Sequence, residues 1–280
     1  MARINLEWTY RAVENEIKGI LMSIDIMKPI EVERIRRAVR RGIARLNAAA
    51  AAWVLREIPA ACRLGARRAR VALEILGKKS RRPSMTSPEV IIGGRALERL
   101  VAANNTIQTT VDKYLAMTII ASRVTRSAQV QEQLDPDDAM AVYEKYGREA
   151  VLQMKSRGWL AARIREYLAS RISEGGFIEV KGRYYNASKY AKMVARTEMA
   201  RAQTEATLEV CREYGNDLVE VSDHATDCEV CQEYEGNVYS ISGSHPSYPP
   251  LQDSPPYHPN CKHRLLPASE EAIAIRERFR

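Results

Sequence analysis

The chain has 280 residues, with 43 Lys and Arg against 35 Asp and Glu and a formal charge of +8. That length can bury one large core or two smaller ones, so size alone calls for neither disulfides nor metal. The longest uncharged apolar run, Ala48 to Leu55, is far short of the roughly 20 residues that cross a bilayer, which excludes an apolar membrane helix.

The first 24 residues mix Glu7, Arg11, Glu14, Glu16 and Lys18 into their apolar positions, so no secretory signal is visible and a soluble intracellular chain is expected. In that compartment thiols stay reduced, and an odd set of five cysteines is a poor disulfide framework. The first 80 residues read as helix. Val32, Ile35, Val39, Ile43, Leu46 and Ala50 recur at three- and four-residue intervals, with Pro29 suited to the opening turn. Arg34, Arg37, Arg41 and Arg45 lie on another face, and Pro59 is expected to end or bend this helix before a second basic one from about Ala60 to Leu76.

Charge concentrates here. Residues 31 to 82 hold fifteen Lys and Arg against four Glu, a local balance of +11, so the rest of the chain sums to about −3. A solvated face is the ordinary explanation of the arginine stripe. The other is an acidic partner such as DNA, for which Arg34, Arg37, Arg41, Arg45, Arg67, Arg68 and Arg70 are the candidate contacts.

The stretch "GKKSRRPSMTSPEVIIGG", 77 to 94, clusters Gly, Pro and Ser with basic residues and reads as a linker or flexible arm. Helical pattern returns from about Ala96 to Leu134, and "DPDDAM" opens another helix with Asp135 as cap, Pro136 in the first turn and Asp138 at the positive dipole end. Gly175 and Gly176 introduce "FIEVKGRYYN", a hairpin turning at Lys181 and Gly182. Asn186 caps a helix that runs to Tyr214 and stops at Gly215 and Asn216.

Beyond Gly215 short strands are expected at Val219 to Val221 and in "NVYSI". Five prolines between Ser242 and Tyr257 exclude helix and leave a long irregular connection whose ends something must hold. The domain reading is therefore 1–80 basic helical, 81–95 linker, 96–175 helical, 176–267 a helix with a small α+β lobe, and 268–280 a helical tail. The fold class is mainly α.

"CEVC" and "HPNC" place Cys228 with Cys231 and His258 with Cys261 at the same interval, 26 residues apart. Two such pairs have the ligand spacing of a closed structural zinc site, because each short turn lets both side chains reach one ion. Zinc is preferred over iron because mixed histidine and thiolate tetrahedra most often hold it. His263 is a fifth donor that could replace His258, serve behind the ligands, or face solvent. Cys62 and Cys211 lie in helical patterns and read as small buried hydrophobes.

The helix with "ARTEMARAQ", then Asp223, the cysteine pair, Gly236, the proline-rich stretch and "PPYHPNCKH" resembles the Mu F-like head morphogenesis, or minor capsid, family of tailed phages, over about Trp159 to Pro267. On that resemblance Arg196, Thr197 and Glu198 match the family's Arg-Thr-Glu, Asp223 its acidic residue before the metal loop, and Cys228, Cys231, His258 and Cys261 its metal-ligand pattern. The family usually closes with cysteine, one residue, then cysteine; here Cys261 is followed by His263.

The resemblance implies a non-enzymatic virion component attached to the portal protein inside the head, made in the host cytoplasm, in contact with genomic double-stranded DNA and with capsid or scaffolding protein, and with no membrane. Any DNA contact is expected to be nonspecific, since no base-reading module is present. The competing reading is a metal-dependent endonuclease acting on phage or host DNA, with His224, Asn260 and His263 as its candidate residues.

Overall fold

The computed structural model describes residues 5–23, 29–80, 88–127 and 176–278. The helix expected to open at Asp135, Gly175 and the middle of the expected linker, 81–87, lie outside them. The chain is mainly helical with a small C-terminal lobe of short strands. It divides into two compact units, Met1–Ala50 with Leu100–Ala191 and Ala51–Arg99 with Lys192–Arg280.

In the first unit, helix α1 (Leu6–Ser23) opens at Asn5, whose Oδ1 accepts from the Trp8 backbone N–H at 3.2 Å, and buries Leu6, Tyr10, Val13, Ile17 and Leu21. Helix α2 (Pro29–Ile75) contributes its first half, where Val32, Ile35, Val39, Leu46 and Ala50 are buried at the expected spacing. Ile43 is only half-buried. Helix α3 (Pro88–Ser127) adds Leu100, Ala103, Ile107, Val111 and Leu115. Strands β1 (Ile178–Val180) and β2 (Arg183–Tyr185) pair antiparallel. Their turn falls at Lys181 and Gly182, with φ of 51° and 74°, the two left-handed positions of a tight hairpin.

Helix α4 (Ala187–Tyr214) begins and ends as its sequence predicts. The Asn186 Oδ1 accepts from the Lys189 N–H at 3.1 Å, while Glu14 receives the Asn186 amide at 2.9 Å. At the far end Gly215 takes φ 64° and the Asn216 N–H reaches back to the Cys211 carbonyl at 2.8 Å, closing the last turn.

In the second unit α2 runs on through Pro59, so of the predicted end or bend the end does not occur. A proline inside a helix costs about 3 kcal/mol. Trp53 and Ile58, both buried beside it, are worth about 1.5 to 3 kcal/mol each, so packing outweighs the lost hydrogen bond. The expected linker is also shorter than predicted, because α3 already starts at Pro88, a good first-turn residue followed by Glu89 at the positive helix end. Its Gly93, read as part of a break, faces α2: a Cβ there would stand 3.0 Å from the Val54 Cγ1.

The lobe is a three-stranded antiparallel sheet ordered β4–β3–β5, with β3 (Leu218–Val221) between β4 (Val238–Ser240) and β5 (Leu265–Pro267). Strand β5 is absent from the sequence reading. Val219, Val221 and Leu265 pack with Leu208, Cys211 and Tyr214 of α4 and with Ala69 and Leu73 of α2. On the other side Leu218 meets Ala268 and Ile273, the latter from helix α6 (Glu270–Arg278). A single-turn helix α5 (Glu229–Gln232) links β3 to β4.

The proline-rich connection is irregular, as expected, and protein contacts already hold it. Ser240 bridges Pro250, donating its N–H to the Pro249 carbonyl at 2.8 Å and accepting from the Leu251 N–H at 2.8 Å. The Asp217 carboxylate accepts from the Ser240 hydroxyl at 2.5 Å and the Ser242 N–H at 2.7 Å. Tyr234 and Tyr257 stack at 4.2 Å. An ion is thus one of several ties across this loop.

Candidate metal centre

Both donor pairs are closed by the same type of backbone bond, the first in the opening turn of α5 and the second in a non-helical turn. The Cys231 N–H donates to the Cys228 carbonyl at 2.9 Å, and the Cys261 N–H donates to the His258 carbonyl at 3.1 Å. Each bond folds its pair into a turn that turns two side chains the same way. In the second turn Asn260 takes φ 62°, a left-handed conformation that asparagine tolerates.

The two turns meet. His258 Nε2 lies 3.4 Å from the Cys228 Sγ and 3.1 Å from the Cys231 Sγ, and the Cys231 and Cys261 sulfurs are 3.8 Å apart. Two thiolates at about 2.3 Å from one tetrahedral ion would be separated by about 3.8 Å, so the donor chemistry and spacing fit a divalent cation. Cys261 in turn lies 3.6 Å from the Nδ1 of His263, which is buried. The donors form two overlapping triads, Cys228–Cys231–His258 and Cys231–Cys261–His263, with Cys231 in both, and either group could hold a metal ion.

Each histidine is oriented by its second nitrogen. His258 Nδ1 faces the Pro259 carbonyl at 2.9 Å, and His263 Nε2 faces the Glu235 carboxylate at 3.0 Å. Glu235 accepts in addition from the Thr226 N–H at 3.0 Å and from the His224 N–H. The Thr226 N–H first, and then His263 and the His224 N–H, hold its carboxyl well below the usual range, at about 2. A fixed carboxylate behind an imidazole is the arrangement that orients ligating histidines and raises their basicity. Sequence reasoning missed Glu235, which no spacing ties to His263.

Burial, followed by the neighbouring thiols of Cys261 and Cys228, pushes the Cys231 thiol up to about 12. Cys231 by itself therefore favours the protonated thiol, and a bound cation would compensate a thiolate there. Cys62 and Cys211 are also buried, but they lie among helix residues, with thiols raised by desolvation to about 11 and about 12.

Of the Arg-Thr-Glu triplet, Thr197 reaches this centre. The Thr197 hydroxyl donates to the Met193 carbonyl at 2.9 Å and accepts the Asn260 N–H at 3.3 Å, which ties α4 to the His258–Cys261 turn. Glu198 is fully buried and receives Arg99 at 2.7 Å and Arg201 at 3.0 Å, joining α3 to α4. Arg196 and Glu198 make no mutual pair, in keeping with their different helix faces. Asp223 is exposed, and its Oδ1 accepts the Ala225 N–H at 3.0 Å, shaping the turn that leads into the cysteines.

The residues of the endonuclease reading are engaged otherwise. His224 Nε2 is 2.9 Å from the Ser222 hydroxyl, His263 Nε2 is taken by Glu235, and the Asn260 contact is through its backbone. The seven candidate DNA-contacting arginines are all exposed. Arg34, Arg45 and Arg70 pair with Glu31, Glu16 and Glu213, whereas Arg37, Arg41, Arg67 and Arg68 have no ion-pair partner among the described residues.

No helix among the described residues is long and apolar enough to cross a membrane. Residues 99–273 match the family model described as phage minor capsid protein 2, a span that contains all five donors, the Arg-Thr-Glu triplet and Asp223. No curated protein and no solved structure matches the chain.

Proposed function

The chain belongs to the phage minor capsid protein 2 family, and we propose that it is a non-enzymatic head component attached to the portal protein at the vertex, with a structural zinc ion in its C-terminal lobe and basic helices laid against genomic DNA. Family membership supports a head or capsid role and a place in the virion. Portal attachment, DNA contact and scaffolding or capsid partners are this reading's own extensions.

The observation that carries the zinc part is the meeting of two donor turns, each closed by an N–H to C=O bond across its pair, within the matched span, with the Cys231 and Cys261 sulfurs 3.8 Å apart. Cys228, Cys231 and Cys261 with one of His258 or His263 would hold the ion. Bound there, zinc supplies a closed, redox-inert crosslink and no open coordination position for chemistry. Thr197 and Glu235 hold the donor turns, and the Asp217 and Tyr234–Tyr257 contacts hold the loop between them. Structural zinc is worth roughly 10 to 16 kcal/mol in small peptides, far more than the few kcal/mol of closing the 26-residue connection.

Elemental analysis of the full chain, purified without chelator, tests it. One equivalent of zinc is expected, lost in Cys231→Ser and kept in Cys211→Ser; a wild-type protein free of metal defeats the reading. Plasmid nicking with magnesium or manganese that disappears in His224→Ala would establish the endonuclease instead.

A further inference from the structure

We infer that the cleft where α2, α4 and β5 meet is a phosphate site that receives one phosphodiester of double-stranded DNA. The inference rests on the DNA-contact part of the reading above and assigns it a place. The cleft has a volume of about 90 Å³ and is lined by Gly65, Arg68, Gln203, Thr207, Arg264 and Pro267 among others, with no carboxylate in its lining.

Its two guanidinium groups come from distant parts of the chain. Arg68 is on α2, and Arg264 sits directly before β5, where its N–H donates to the Ser222 hydroxyl at 3.0 Å and its carbonyl accepts the Ser222 N–H at 2.9 Å. Those bonds fix the Arg264 backbone at the sheet, and Arg264 lines the same cleft as Arg68. Elsewhere in this unit arginines that approach one another share an acid, as Arg99 and Arg201 share Glu198. Arg68 and Arg264 have no acidic partner among the described residues.

Both guanidinium-bearing residues line one cleft with no carboxylate between them, so the free protein carries a like-charge repulsion that an anion would relieve. Gln203 completes the set. Its Oε1 accepts from the Arg68 Nη1 at 3.1 Å, which leaves the amide NH2 as a further donor. Two guanidinium forks and an amide suit a phosphate's oxygens. The exposed Arg67 next along α2 extends the positive surface as a continuing backbone would require.

The test uses the full chain with a fluorescently labelled duplex, read by anisotropy across a salt series. Arg68→Gln and Arg264→Gln are each expected to weaken binding several-fold and to flatten the slope of log K against log salt by about 1. Inorganic phosphate should raise the melting temperature of the wild type and not that of Arg264→Gln. Wild-type affinity and slope in both variants, with weakening in Arg37→Gln and Arg41→Gln, would overturn the cleft and leave the DNA reading standing. No duplex retention by the wild type at low salt would remove both. A phosphate response without any effect of the variants on duplex binding marks a small-anion site and overturns the inference, as does binding of a polyglutamate peptide in place of the duplex.

Discussion

Replacing Gly65 by alanine sets helix propensity against packing, and the two predict opposite signs. Alanine in a helix interior is favoured over glycine by about 1 kcal/mol, so the sequence alone predicts that Gly65→Ala stabilises. In the folded protein, however, a Cβ at Gly65 would stand 2.4 Å from the Gln203 carbonyl oxygen, 2.7 Å from its Cα and 2.9 Å from its carbonyl carbon. All three are backbone atoms of α4 and cannot swing aside as a side-chain tip would. Overpacking of this kind costs about 1 to 3 kcal/mol, and a clash with three fixed atoms belongs in the upper part of that range. Net destabilisation of about 1 to 2 kcal/mol is expected, a fall of roughly 3 to 8 °C in melting temperature for a unit of this size. Guanidinium denaturation followed by circular dichroism measures it. Gly94→Ala on α3 is the control, because nothing lies within 4 Å of its added Cβ, and it should gain about 1 kcal/mol. A Gly65→Ala protein as stable as the wild type would show that α2 and α4 do not approach as closely as described, and the cleft beside them would lose its geometry.

Glu235→Gln should lower zinc affinity roughly 10-fold, measured by competition with a chromophoric chelator, because it weakens the partner that orients His263; unchanged affinity would favour His258 as the ligating histidine. Thr197→Val removes the acceptor of the Asn260 N–H and should cost about 1 kcal/mol, with faster amide exchange confined to the His258–Cys261 turn. Glu14 is pushed above its ordinary value, chiefly by burial. Its contribution to stability is therefore complete below the ordinary carboxylate range and is lost as pH rises through the raised folded value; Glu14→Gln should abolish that slope in denaturation midpoints taken from about pH 4 to about pH 7.

What could be read before folding is whatever neighbours along the chain decide. Asn186 before an apolar period and Gly215 after it mark both ends of α4, because a cap and a left-handed stop act on the adjacent turn. Lys181–Gly182 makes its hairpin through its own dihedrals. The two donor pairs are legible for the same reason: four consecutive residues close a turn whatever surrounds it.

The features that escaped depend on partners far away in sequence. Pro59 looks like a terminator until Trp53 and Ile58 are seen buried beside it. The pair Gly93–Gly94 looks like a break until Val54 fills the space against the first of them. Strand β5 is three residues with no period of their own, and exists because β3 offers it an edge. Glu235 behind His263, Thr197 under Asn260 and Arg264 beside Arg68 carry no signal at all in spacing. Residue order supplied this protein's helices, turns and donors, while packing chose which distant groups face one another, since side-chain contacts across the fold are selected by the burial of the whole and not by any local preference.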